Sequence, residues 1–145
     1  MLELRIKVGL ILTAPGNGGD SLSEMAATNY TFFNPDFSHM TTRSLVVVGS
    51  DNASAHLTVR GPSWHEDPYH FSPGAEALMT VLGGKHGLGG ISGYDARETD
   101  DEDPERLEIV LRMTWVICAR PWTAIIAPGP TPAPRWKLTP RHRPG

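Results

Sequence analysis

The sequence predicts an α/β fold: a partly open, parallel sheet of about three strands with covering helices. Three short segments are almost continuously apolar, residues 6–12, 44–48 and 77–82, and each leads into a loop that contains glycine. Continuous hydrophobicity is typical of strands that are buried on both faces, as in parallel sheets. The intervening segments are long enough to cross over from one parallel strand to the next.

The segments between the predicted strands carry weaker signals. Residues 20–30 predict a short helix capped by Asp20 or Ser21, with Glu24 in the place of a capping-box carboxylate. Residues 56–73 contain aromatic side chains, histidines and three prolines, without a period of two or 3.6. That pattern predicts a long, irregular excursion between strands.

One helix is predicted after the third strand. Asp103 and Pro104 supply an acidic cap and a first-turn proline, and Pro121 ends the pattern. Its predicted apolar face consists of Leu107, Val110, Leu111, Thr114, Ile117 and Cys118. Residues 121–145 are rich in proline and lack periodicity, which predicts a disordered tail after a folded part at residues 1–120.

Composition excludes several functional classes. The chain has 145 residues, a length that suits one domain, and its net charge of −3 without a basic stripe argues against a nucleic-acid partner. No stretch approaches a membrane span, and residues 1–7 lack a signal-peptide apolar region. We therefore expect no membrane partner and a cytoplasmic location, although a secreted parent without its front end would look the same. Cys118 is expected to be packed, and Trp64, Tyr69 and Trp115 to fill the core or a pocket wall.

Polar loops follow the second and third predicted strands. Gly49 is followed by Ser50, Asp51 and Asn52, and residues 77–82 lead into a glycine-rich loop with His86. Because parallel strands end at the same sheet edge, an Asp–His hydrogen bond is geometrically natural there. A carboxylate fixes the tautomer of an imidazole and stabilises its charged form, which makes His86 a candidate general base.

Three alternatives compete with a catalytic base. The first is a metal site, but no pair of its candidate ligands has the close spacing of a familiar zinc motif. These ligands would be His56, His65, His70, His86 and Asp67. We therefore expect no metal and no cofactor. A phosphate cradle at residues 87–92 lacks the third glycine, and the acidic residues that follow it would repel an anion. We expect the acidic run at residues 98–103 to be a solvated surface loop. A non-catalytic module that self-associates or pairs through the exposed edge of the first strand is the most serious alternative.

Six stretches of the chain form a more specific pattern. They are Arg-Ile-Lys-Val-Gly at 5–9, Ala-Pro-Gly-Asn-Gly-Gly at 14–19, Asn-Pro-Asp-Phe-Ser-His-Met-Thr-Thr at 34–42, Leu-Thr-Val-Arg-Gly-Pro-Ser-Trp-His at 57–65, Gly-Gly-Lys-His-Gly-Leu-Gly-Gly-Ile-Ser-Gly-Tyr-Asp at 83–95 and Thr-Trp at 114–115. Over residues 5–120 the chain thus resembles the C-terminal part of α/β-hydrolase-fold serine hydrolases, in particular a bacterial and fungal, chlorophyllase-like group.

The resemblance implies a chain order of nucleophile, acid and histidine, in which His86 is the catalytic base. Such relatives carry the acid three residues after the glycine that ends the strand, where this chain has Asn52. Either Asp51, one step before, substitutes for it or the acid is lost. The elbow Gly-x-Ser-x-Gly is absent. We therefore expect a fragment of a hydrolase for carboxylic esters or related acyl bonds (a gene-model fragment, splice product or decayed copy) that is inactive alone.

Overall fold

A four-stranded, mostly parallel sheet organises the part of the chain that the computed structural model describes, residues 6–31, 33–51, 54–91, 101–119 and 136–140. The strands lie in the order of the sequence, and they are β1 (Gly9–Leu12), β2 (Ser44–Gly49), β3 (Ala75–Val81) and β4 (Trp136–Pro140). The first three are parallel, and β4 runs antiparallel beside β3. The predicted α/β class is confirmed.

The three predicted strands are present with shifted ends. β1 begins at Gly9 rather than at residue 6, and β3 begins at Ala75 rather than at residue 77. The register places Leu45 of β2 beside both Leu10 of β1 and Ala77 of β3. All six residues of β2 are buried, as expected for a central strand with a neighbour on each side.

Both faces of the sheet are covered, which explains why its strands are continuously apolar. One face belongs to a cluster of the buried residues Leu45, Val47, Ala77, Met79, Val81, Leu88, Val110 and Ile117. The opposite face belongs to a smaller cluster of Val46, Val48, Tyr69, Ala75 and Leu78. Each fully buried Val or Leu contributes roughly 1.5–3 kcal/mol relative to an exposed side chain, so the central strands carry much of the stability.

The connections between strands contain two short helices. The helix α1 (Glu24–Asn29) is capped by Ser23, whose Oγ accepts from the Ala26 amide at 3.1 Å, and not by the predicted Asp20 or Ser21. Residues 61–71 form a 3-10 turn (Gly61–Glu66) followed by the helix α2 (Asp67–Phe71), where an irregular loop was predicted. Prolines at the starts of both segments favour helical turns. The sequence prediction relied on periodicity, which is absent here, and so did not use this signal.

The predicted closing helix, α3 (Pro104–Ala119), is confirmed, but its buried face differs. Val110 and Ile117 are buried, and Ile109 and Met113 pack on the same cluster. The prediction was wrong for residues on the other side of the helix, since Leu111 is 54% exposed, Trp115 is 63% exposed and Cys118 is exposed. Trp64 and Tyr69 are buried as predicted.

The strand β4 lies in the segment that was predicted to be a disordered tail. It pairs with β3 from Ala77↔Pro140 to Val81↔Trp136, and Leu138 packs against the larger cluster. Its five residues contain an apolar position between polar ones, too short a pattern to be distinguished within a proline-rich region. The other residues of the predicted tail lie outside those that the structure describes.

Gly49 sets the spacing between the loops that follow β2 and β3. A Cβ atom at this position would lie 2.1 Å from the Gly84 carbonyl oxygen and 2.6 Å from the Lys85 oxygen, so only glycine fits without backbone movement. The two loops therefore approach each other at the level of their main chains.

We predict that Gly49→Ala destabilises the fold by about 1–3 kcal/mol or more, the usual cost of overpacking, because the loops must separate. The matched control is Gly9→Ala in β1, where the new Cβ would lie 3.3 Å from Ser44 Cβ, a contact that a small shift relieves. Urea unfolding of both variants measures the difference. Equal stability of the two variants would contradict the prediction.

Candidate functional site

The loops that follow β2 and β3 are joined at the carboxyl edge of the sheet. The Ser50 amide donates to the Val81 carbonyl at 3.1 Å, and the Asp51 amide donates to the Gly84 carbonyl at 3.0 Å. The Gly83 amide donates to Ser50 Oγ at 2.8 Å. The loop that holds Asp51 is therefore bonded directly to the start of the loop that holds His86.

His86 is an exposed side chain on a tightly held main chain. Its carbonyl accepts from Thr13 Oγ1 at 3.0 Å, which links it to the end of β1. Thr13 (φ 39°) and Leu88 (φ 49°) lie in the left-handed region, which costs free energy for residues with large side chains. Such strain persists where surrounding contacts enforce it, and it clusters at functional sites. Here both strained residues adjoin the His86 segment.

The predicted acid, Asp51, lies in the neighbouring loop but forms no hydrogen bond with His86. Asp51 is exposed, and its Oδ1 is 3.5 Å from Ser50 Oγ. No hydrogen bond joins the described side chains of Asp51 and His86. Asn52, which stands where the resemblance places the acid, lies outside the described residues. The structure thus brings the two loops together without forming the predicted Asp–His pair.

A buried carboxylate shapes the His86 loop from the opposite side. Asp101 is 5% exposed, and its Oδ2 accepts from the Lys85 amide at 2.7 Å and from the Gly89 amide at 3.2 Å. Its Oδ1 lies 3.4 Å from a guanidinium nitrogen of Arg106 on α3. The expectation of a solvated acidic run was wrong for this residue. One of these amides, that of Gly89, lies within the alternative phosphate cradle at residues 87–92 and is therefore already occupied by the Asp101 carboxylate.

His65, in the connection between β2 and β3, bonds to the loops after β1 and β2 at the same sheet edge, although the sequence predicted only a weak metal role for it. Its Nε2 lies 2.8 Å from Ser54 Oγ, and its Nδ1 lies 2.8 Å from the Ala14 carbonyl oxygen. The imidazole is 6% exposed and tilts against that of His86, with ring centroids 5.8 Å apart. Burial is the main cause that lowers the pKa of His65, and the neighbouring His86 lowers it further.

An ion pair holds the loop after β1 beside His65. Asp67 is 1% exposed and accepts two hydrogen bonds of 2.8 Å from Arg60 and one of 2.8 Å from the Asn17 amide. Trp64 Nε1 donates to the Asn17 carbonyl at 2.8 Å. The main chain of Asn17 is therefore fixed at both its donor and its acceptor, which satisfies the buried carboxylate and the indole.

The arrangement can support proton transfer at an exposed imidazole, but other chemistries have less support. Among the described residues, no group of three or more His, Cys, Asp or Glu side chains is arranged to hold a metal ion. His70, one of the alternative ligands, lies instead 3.6 Å from Glu66 on the adjoining turn.

Across the residues that the structure describes, no helix has the length and apolar character needed to cross a membrane.

Comparisons of the chain with protein-family models, with curated proteins and with solved structures found no significant match. The resemblance to serine hydrolases therefore stays a prediction.

We predict that Asp101→Ala destabilises the protein by about 2–6 kcal/mol, because two main-chain amides lose their acceptor and each unsatisfied group costs about 1–3 kcal/mol. The loss should be concentrated in the His86 loop, visible as faster hydrogen exchange at Lys85 and Gly89. The neighbouring exposed residue provides a control, Glu102→Ala, which should leave both amides protected. Unchanged exchange in Asp101→Ala would contradict the assigned role.

Proposed function

We propose that this chain forms the base-bearing part of a serine hydrolase site that acts on carboxylic esters or related acyl bonds, with His86 as general base. The observation that carries the proposal is the placement of an exposed imidazole, on a main chain fixed by Thr13 and Asp101, at the carboxyl edge of a parallel sheet. Open α/β sheets bind their ligands at this edge.

The proposed mechanism assigns one proton-transfer role to His86. Its imidazole takes the proton of a serine hydroxyl as that oxygen attacks the acyl carbon, and returns it to the departing alkoxide. Water then hydrolyses the acyl-enzyme with the same imidazole as base. Asp51 is the proposed acid, and to orient His86 its carboxylate would have to turn from Ser50. The alternative is that the acid is lost, because Asn52 stands at its usual place.

The nucleophile is proposed to come from a segment that this chain lacks. Ser50 Oγ already accepts from the Gly83 amide, and Ser54 is 3% exposed and bound to His65. Among the described contacts, neither Ser50 nor Ser54 is hydrogen-bonded to the His86 ring. Without an activated hydroxyl no acyl-enzyme forms, so we propose that the chain alone does not turn over esters.

The test joins the chain to the coding sequence immediately upstream in its genome. We expect that segment to encode Gly-x-Ser-x-Gly in frame, or in frame after correction of a splice site or base. The joined protein should hydrolyse a short-chain p-nitrophenyl ester and label with a fluorophosphonate. His86→Ala should lower turnover by a factor of about 10² or more, the scale of general-base catalysis. His39→Ala, at an exposed 3-10 turn, is the control.

Three outcomes would contradict the proposal. One is an upstream region without coding potential for an elbow serine. Another is ester turnover by the chain alone, and the third is turnover by the joined protein that persists in His86→Ala.

A second candidate function, self-association through the sheet edge, is favoured by the position of β1. It is the end strand of the sheet, and among the described residues no strand pairs with its outer side. Gly9 and Thr13 direct their amides to β2, so by alternation Leu10 and Leu12 direct theirs outward. Free edge amides are templates for pairing with a second copy.

We predict that hydrogen-exchange protection at the Leu10 and Leu12 amides rises with protein concentration. Gly9 provides the internal control, since its amide bonds to β2 and should be protected at every concentration. Light scattering after size-exclusion chromatography gives the mass in parallel. A monomer at all concentrations, with unprotected Leu10 and Leu12, would exclude this function.

A further inference from the structure

We infer that His65 is a positioning residue for the His86 edge: its neutral imidazole ties the loops after β1 and β2 together behind the His86 ring. The catalytic meaning of this role rests on the proposed function, but the role itself rests on geometry. One ring nitrogen reaches Ala14 in the first loop and the other reaches Ser54 in the second, and the ring face adjoins His86.

The partners determine which tautomer His65 adopts. A carbonyl oxygen can only accept, so the nitrogen that faces Ala14, Nδ1, must carry the hydrogen. In the neutral ring Nε2 is then the acceptor, and Ser54 donates its hydroxyl hydrogen to it. Both hydrogen bonds are satisfied by one neutral tautomer, without another proton.

The Ser54–His65–Ala14 sequence has the same hydrogen-bond order as a nucleophile, a base and an orienting acceptor. Ser54 is 3% exposed and His65 is 6% exposed, however, so an acyl substrate has no open approach to the hydroxyl. The exposed imidazole at this edge is that of His86. The geometry therefore assigns His65 to support and His86 to contact with substrate.

Charges around the ring make protonation of His65 costly. Burial lowers its pKa most, and a positive His86 beside it adds repulsion. Asp67 favours the charged ring, but this carboxylate is already paired with Arg60 through two hydrogen bonds. The hydrogen bond to the Ala14 carbonyl also favours the charged form, without reversing the direction.

The sign of the pH effect follows from the lowered pKa. An opened loop state, in which water surrounds the ring, takes up the proton near the ordinary value of 6.5, whereas the closed state resists it. The closed arrangement is thus fully stabilised above about pH 6.5 and loses stability as the pH falls toward the lower pKa of the closed state. The loops should open together because one ring bonds both.

The experiment uses the full chain and follows, by NMR and hydrogen exchange, one hydrogen-bonded backbone amide in each loop. These are the amides of Thr13, Leu57 and Leu88, which donate to the carbonyls of Val47, Ser54 and Lys85. We expect one common midpoint below pH 6.5, with protection factors that fall by up to about tenfold per pH unit, the linkage of one proton. His86→Gln should raise that midpoint, because it removes the neighbouring imidazole, whose interaction lowers the pKa of His65. His39→Gln, whose side chain is 89% exposed, should leave the midpoint unchanged.

Two matched variants separate the bonds of His65. In His65→Asn the amide reaches the place of Nδ1, so the contact with Ala14 is retained and that with Ser54 is lost. In His65→Gln the amide reaches the place of Nε2, so the contact with Ser54 is retained and that with Ala14 is lost. Each variant should therefore perturb one loop selectively, and both should abolish the common midpoint.

Separate midpoints for the three amides, or a pH response that survives in both His65 variants, would overturn the inference. Stoichiometric fluorophosphonate labelling of Ser54, lost in Ser54→Ala, would also overturn it, because Ser54 would then be a reactive nucleophile and His65 its base. None of the supporting readouts uses ester turnover. A hydrolase assay that fails in the joined protein therefore counts against the proposed function alone.

Discussion

The close approach of the β2 and β3 loops is the constraint on which the carboxyl edge of the sheet depends. Two adjacent parallel strands hold their ends only a few ångströms apart, and the loops that leave them compete for the same space. Gly49 removes the side chain that would collide with the Gly84 carbonyl, and the Asp51 amide can then bond to that same oxygen. The path of the chain toward His86 is determined from this point.

Three buried polar side chains at this edge each bond to at least one main-chain atom of a loop. Asp101 accepts from two amides around His86, and Asp67 accepts from the Asn17 amide while it is paired with Arg60. His65 bonds to a carbonyl and to a hydroxyl. Loops have no ladder of their own to satisfy such groups, so each side chain replaces a missing backbone partner. Loop geometry at this edge is therefore specified by a few ionisable residues.

The strands of the core could be predicted from the sequence because burial on both faces produces an unbroken apolar run. β2 and β3 are surrounded by two clusters and show that pattern along their length. β4 could not be predicted, since a short edge strand needs only one apolar contact, that of Leu138. α3 was predicted from its start signals, but a helix whose apolar residues exceed one face does not reveal which of them face the sheet.

The position of His86 in a loop after a strand could be predicted, because glycines surround it and an apolar run precedes it, both of which are local properties. The support for His86 was not identifiable, because Asp101 and His65 act through contacts with residues distant in sequence. Asp101 lies in an acidic run whose other members give no sign that one carboxylate turns inward. His65 lies in a segment without periodicity, where a 3-10 turn buries it. In each case the role of the side chain depends on a main-chain partner distant in sequence, which the pattern of side chains along the chain does not reveal.

Two histidines at one sheet edge have opposite surroundings, and this contrast supports different roles. His86 has an exposed ring and a main chain fixed by Thr13, so the side chain can contact a ligand while its Cα stays in place. His65 has a buried ring with both nitrogens occupied, so it cannot exchange a proton without breaking or charging a buried network. A general base must be accessible to its substrate, whereas a positioning residue acts from a buried site. The 5.8 Å between the ring centroids lets a support of this kind act directly on the orientation of its neighbour.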